Sequence, residues 1–234
     1  MADRKNEASR AAPGRLTARP GSPETAGPVG LHRLGLDGRR DGLLYVPEGY
    51  RVERPAPLVL MLHGAGGSAQ GGLAPFRELA DAADIAGVLL LAPDSRGPTW
   101  DVILGGFGPD VAFLDRALAH TFARYAVDPA HIAAEGFSDG ATYALSIGLT
   151  NGDLFTHVIG FSPGYMAPAE QQGTPRIFLA HGIHDQVLSI DACSRRLVPR
   201  LQKAGYDVVY QEFDGPHTVP QDIAKDALNW FTAG

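Results

Sequence analysis

Three side chains suited to acyl transfer occur in this chain in a telling order. Ser138 lies in "EGFSDGA" (135–141), Asp185 in "HGIHDQV" (181–187) and His217 in "DGPHTV" (214–219). A serine hydroxyl is a weak nucleophile until a base takes its proton, and the base needs a carboxylate to fix its tautomer and stabilise its cation. Gly136 and Gly140 flank Ser138 in a G-x-S-x-G pattern, which carries weight only if a strand precedes the serine and a helix follows it. His217 would serve as general base and then acid, and Asp185 would orient it. Asp191 and Asp214 are nearby alternatives to Asp185. Asp191 sits inside a helical pattern, and Asp214 is only three residues before His217, too local for a partner on a separate strand loop. His181 and His184 lack the carboxylate-rich surroundings of a metal site and read as structural or pocket-lining.

The reaction also needs donors for the oxygen that becomes negative. "HGAGG" (63–67) can aim a backbone N–H at that oxygen, with Ala65 the first choice and Gly66 the alternate. Asp139, directly after the serine, would supply the second N–H from its backbone. His63 reads as a brace for this loop.

These residues are useful only if elements bring them together. The runs at 57–64, 87–94, 131–138, 157–164, 176–182 and 207–214 read as strands, and several are apolar on consecutive residues, as in strands covered on both faces of a parallel sheet. "GLHRLGL" and "GLLYVP" before them suit an antiparallel pair at the sheet edge. Apolar residues recur at steps of three and four over 109–125 and 189–204, which predicts amphipathic helices. Pro199 predicts a kink or break in the second, and Cys193 falls on its buried face, where a small hydrophobe is expected. Thr218 and Gln221 form a capping-box pattern before the last helix. Alternating strands and helices imply a doubly wound, mostly parallel α/β sheet with helices on both faces. Sites in such sheets form beyond the carboxyl ends of the strands, where all three side chains fall.

Bulk properties bound the remaining classes. The chain has 234 residues, a formal charge of −6 and one cysteine. That length suits one domain over 29–234, and the charge argues against a nucleic-acid partner. The cysteine count gives no sign of an oxidising compartment, no run reaches the length of a membrane span, and residues 1–30 lack the apolar region of an export signal. A cytoplasmic location is therefore expected. Residues 1–28, rich in Ala, Gly, Pro and Arg, are expected to form a flexible tail.

With these motifs in view, the chain resembles the α/β-hydrolase superfamily, and within it the small phospholipase/carboxylesterase-like serine esterases. "LMLHGAGG", "YAVDPAHI", "IAAEGFSDGATYALSIGLTNGDLF", "LAHGIHDQVL" and "FDGPHTVP" carry the resemblance, over roughly residues 40–232. It implies Ser138, Asp185 and His217 as the triad, Ala65 and Asp139 as oxyanion donors, and neither metal nor organic cofactor. The oxyanion segment departs from the "HGGG" of many lipases and esterases. The short stretch between 162 and 176 leaves no room for a large lid, and Trp100, Ile103, Leu104, Tyr165 and Met166 are expected to line an acyl pocket. The expected activity is hydrolysis of short- to medium-chain carboxylic esters. A thioesterase, a lysophospholipase, a phenolic-ester hydrolase and a non-catalytic ligand-binding protein on the same fold are the alternatives.

Overall fold

Alternate residues of each central strand face opposite sides of one sheet, and the apolar runs fill both sides. The computed structural model describes residues 13–77 and 87–233. Its eight strands are β1 (Gly30–Arg33), β2 (Gly42–Val46), β3 (Ala56–Leu62), β4 (Leu89–Pro93), β5 (Val127–Phe137), β6 (His157–Phe161), β7 (Arg176–Gly182) and β8 (Val208–Phe213). They pair in the order β1-β2-β4-β3-β5-β6-β7-β8. β1 and β2 are antiparallel at one edge, and β3 to β8 run parallel.

The described helices are α1 (Ala69–Arg77), α2 (Pro109–Phe122), α3 (Asp139–Thr150), α4 (Ser194–Lys203) and α5 (Gln221–Thr232). On one face Leu58, Leu60, Leu62, Leu91, Ile132, Ala134 and Leu179 pack against α2, α3 and α4. On the other, Val59, Met61, Ala133, Ile159 and Phe178 pack against α1 and α5. Each fully buried Leu, Val or Ile side chain contributes roughly 1.5–3 kcal/mol by leaving water. Consecutive burial along β3, β4 and β6 therefore pins the strand register that aligns the loops at the carboxyl edge.

Three local expectations change. α4 runs through Pro199 and starts at Ser194, with Cys193 buried just before it. α5 starts at Gln221 behind Pro220, a cap with no side-chain oxygen, so Thr218 does not cap the helix.

The third change concerns the expected tail, whose residues 1–12 lie outside the described residues. Residues 13–28 are held against α2 and the end of α3. Leu16 is 1% exposed, its N–H donates to Asn151 Oδ1 at 2.8 Å, and Asn151 Nδ2 donates to Gly14 O at 2.8 Å. Arg15 forms a two-point bond with Asp153 at 2.8 and 2.7 Å. The N–H groups of Thr17 and Ala18 share Asp115 Oδ1. Side-chain carboxylates and an amide thus satisfy a backbone that has no strand to join.

Candidate active site

Ser138 ends β5 and caps α3 in a conformation that few non-glycine residues adopt, with φ 57° and ψ −119°. Such backbone costs of order 1–3 kcal/mol and persists where its surroundings over-determine it. Two glycines make the turn possible. A Cβ on Gly140 would lie 1.9 Å from Leu62 O, and one on Gly136 would lie 2.2 Å from the Gly140 carbonyl carbon. Strand and helix therefore meet at backbone contact, and the serine is pushed out at the sheet edge. Its hydroxyl makes no helix-capping bond.

That hydroxyl is 2.9 Å from His217 Nε2, and His217 Nδ1 is 2.6 Å from Asp185 Oδ2. A carboxylate only accepts, so Nδ1 carries the ring hydrogen and Nε2 presents its lone pair to the serine O–H. Asp185 follows β7 and His217 follows β8, so the sheet brings together three positions far apart in sequence. The other carboxylates face elsewhere. Asp191 bonds Arg195 at 2.8 Å, and Asp214 bonds His184 at 3.0 Å, both pairs on the surface.

Asp185 is firmly held. Its side chain is fully buried, and its Oδ1 accepts the N–H groups of Val187 and Leu188, each at 2.8 Å. Burial by itself would raise the carboxyl, but the Leu188 N–H, His217 and the Val187 N–H outweigh it and hold the group below the ordinary carboxylate range. His181 adds a further contact, its Nε2 lying 2.8 Å from Leu188 O and 3.1 Å from Asp185 Oδ2. Because the carbonyl can only accept, Nε2 is protonated and Nδ1 accepts the Ser194 hydroxyl at 2.7 Å. Burial lowers the His181 pKa, which keeps this ring neutral. His181 is thus a support for the Asp185 loop.

On the candidate oxyanion side the backbone N–H groups differ in their partners. Gly66, at φ 65°, already donates its N–H to Pro98 O at 2.7 Å, whereas the Ala65 N–H has no such bond among the described residues. Asp139 is the first residue of α3, so its N–H has no partner within the helix. Its carboxylate turns away to accept the Thr99 hydroxyl at 2.6 Å. His63 braces the loop: Nδ1–H donates to Gly64 O at 2.7 Å, Nε2 accepts the Ser95 N–H at 3.1 Å, and its carbonyl accepts Trp100 Nε1–H at 2.8 Å. Burial depresses its pKa, so this ring too stays neutral.

The expected acyl pocket is only partly assembled. Trp100 is fully buried, stacked between His63 and Tyr143 with ring centroids 4.8 and 5.0 Å away, and it lines nothing. Ile103 and Met166 pack against the core. Leu104 stands on a surface hollow of about 420 Å³ next to Thr99 and Phe107. Tyr165 is half-exposed, with its hydroxyl 3.3 Å from Val102 O. Val187 and Ile183, on the loop of Asp185, are exposed apolar side chains that the sequence reading did not include. That reading also passed over Glu135 and Ser162. A lone charge inside the apolar run "HIAAEGF" was the available signal for the first. Among the described residues no three His, Cys, Asp or Glu side chains cluster as metal ligands, and no helix is long and apolar enough to cross a membrane.

Comparison with known proteins bears on the fold. No protein-family profile matches the chain. Feruloyl esterase C of Emericella nidulans is 28% identical over 158 residues, 65% of this chain and 57% of that protein. Probable feruloyl esterase C of Aspergillus oryzae is 28% identical over 168 residues, 69% of this chain and 60% of that protein. The chain thus spans about three fifths of the length of these curated relatives. Among solved structures, esterase PE8 superposes with a TM-score of 0.64 at 26% identity, covering 81% of this chain and 98% of that one. The Bacillus cereus carboxylesterase superposes with a TM-score of 0.61 at 21% identity, covering 84% and 95%. The fold is that of the α/β-hydrolase esterases, with no large lid.

Proposed function

We propose that this chain is a serine carboxylesterase acting through an acyl-enzyme on Ser138. The observation that carries the reading is the unbroken line Ser138 Oγ, His217, Asp185, with bonds of 2.9 and 2.6 Å at the carboxyl edge of the sheet. His217 takes the serine proton as Oγ adds to the ester carbonyl, and the oxygen that becomes negative is met by the Ala65 and Asp139 N–H groups. The protonated His217 then gives its proton to the leaving alkoxide. In the second half a water molecule attacks the acyl carbon, His217 takes its proton and returns it to Oγ, and the acid departs. Asp185, held as a carboxylate, keeps Nδ1 protonated throughout and stabilises the imidazolium.

The substrate is a carboxylic ester of short to medium chain. The exposed apolar side chains of Leu104, Tyr165, Ile183 and Val187 support this, as does a cleft without a large covering domain. A second reading, a hydroxycinnamate ester, is favoured by the names of the curated relatives, which are feruloyl esterases. The test is hydrolysis of p-nitrophenyl acetate, butyrate and octanoate and of methyl ferulate by the wild type and Ser138→Ala, with fluorophosphonate labelling of both. Turnover of at least one ester, with labelling that vanishes in Ser138→Ala, is expected. A folded wild type that neither labels nor turns over any of them would overturn the esterase reading, and equal activity in both proteins would remove Ser138 as nucleophile.

A further inference from the structure

Beneath the catalytic histidine, on the α1/α5 side of the sheet, lies a cavity of about 250 Å³. His217, Phe137, Leu62, His63, Gly64 and Glu135 form its inner wall. It reaches the surface between α1 and the start of α5, where Gly71 and Thr218 border it and are exposed. None of Leu104, Tyr165, Ile183 and Val187 lines the cavity.

Glu135 makes this cavity unusual. It is 1% exposed, and neither carboxyl oxygen has a hydrogen-bond partner among the described residues. Its place on β5, opposite Met61 and Ile159, sets it within an otherwise apolar layer. A buried polar group without a partner costs roughly 1–3 kcal/mol, so a carboxyl kept here calls for a ligand that can both donate and accept. Burial raises the pKa of this group well above the ordinary carboxylate value, which favours the acid form, with one O–H to give and lone pairs to receive. The ligand that matches both this chemistry and the small, half-polar space is water. The cavity, which opens to the surface, has room for several waters.

We propose that this cavity is a water chamber anchored by Glu135, and that it delivers the water that hydrolyses the acyl-enzyme. The inference rests on the esterase reading. Gly64 links the chamber to the reacting centre: a Cβ there would be 3.6 Å from the Ser138 Cβ, so the chamber wall is one residue thick beside the nucleophile. Water from the chamber adds its oxygen to the acyl carbon as His217 takes its proton. The bond from carbon to Oγ then breaks, and Oγ receives that proton. Glu135 touches neither substrate nor the reacting atoms, and is a positioning residue that orders the water.

The test is partition of the acyl-enzyme between water and an added alcohol. Wild type, Glu135→Gln, Glu135→Leu and Gly71→Leu are given p-nitrophenyl butyrate in the presence of 1-propanol, and the ratio of propyl butyrate to butyric acid is measured. This ratio is set after acylation, whichever step limits turnover. Propanol approaches with the substrate while water comes from the chamber, so Glu135→Leu and Gly71→Leu are expected to raise the ratio about fivefold. First-turnover release of p-nitrophenol should be unchanged, and Glu135→Gln, which keeps a donor and an acceptor, should partition like wild type. A Cβ at Gly71, on the border of the chamber, meets nothing within 4 Å, so Gly71→Leu is accommodated and tests the chamber even if Glu135→Leu does not fold. An unchanged ratio in the folded variants overturns the proposal while leaving the esterase reading intact. Loss of butyrate transfer in wild type, or its survival in Ser138→Ala, removes the acyl-enzyme on Ser138 and this inference with it.

Discussion

Strands β5 and β6 lie side by side and end alike. Each closes on a serine in the left-handed region, Ser138 at φ 57° and Ser162 at φ 51°. Each serine donates its N–H to the last turn of the next strand, Ser138 to Phe161 O at 2.9 Å and Ser162 to Ala180 O at 2.8 Å. Beyond the backbone they part. After Ser138 the chain enters α3, and its hydroxyl meets His217. After Ser162 comes Pro163 with no helix, and the Ser162 hydroxyl is buried with no hydrogen-bond partner among the described residues. A strained turn at a strand end is therefore common property of this sheet. What separates the proposed nucleophile from its neighbour is a base within reach and a helix N-terminus to receive negative charge.

Several substitutions sharpen or break this contrast. Ser138→Ala should lower kcat by about 10⁴-fold or more, while Ser162→Ala leaves it within about threefold, both read with p-nitrophenyl butyrate. Comparable losses in the two would end the distinction. Asp185→Asn should cost about 10³-fold in kcat with little change in KM, because the amide frees Nδ1 from its role as sole donor and the ring can take the wrong tautomer. A loss confined to KM would mean that Asp185 serves binding instead.

The third prediction concerns stability in acid and the far end of β6. His157 opens that strand almost fully buried, its Nε2 has no partner among the described residues, and burial pushes its pKa down to about 4. The unfolded ring binds a proton below about pH 6.5, and the folded ring refuses it until about 4. Stability should therefore be complete above 6.5 and fall by about 3 kcal/mol towards pH 4, seen as a drop in urea midpoint. His157→Phe should flatten that slope, and a slope left unchanged would place the acid sensitivity elsewhere. The smallest effect is the most selective. Ser162→Gly and Ser138→Gly should each raise stability by about 1 kcal/mol by relieving the left-handed turn, yet only the second should abolish turnover. Stabilisation at neither position would mean that these turns store no strain.

The sheet and the site were largely legible in the sequence because each leaves a local mark. Parallel strands buried on both faces read as runs such as "PLVLMLHG", and Ser138, Asp185 and His217 each fall at or just after a segment read as a strand. Trp100 was misread because a tryptophan after a strand looks the same whether it lines a cleft or, as here, fills the space between His63 and Tyr143. The segment 13–28 was misread for a related reason. Its order rests on one leucine and on Asp115, Asn151 and Asp153, whose significance appears only when the chain is folded.

That segment has a consequence for the living synthesis of the chain. Leu16 leaves the ribosome early, but the amide that receives it, Asn151, is 135 residues downstream. At translation speeds of ~5–20 residues per second, the strap waits on the order of ten seconds for its dock to be made. β1 to β5 and the elbow at Ser138 can be translated before it settles. A segment made well before its dock is thus among the last parts of the fold to come to rest.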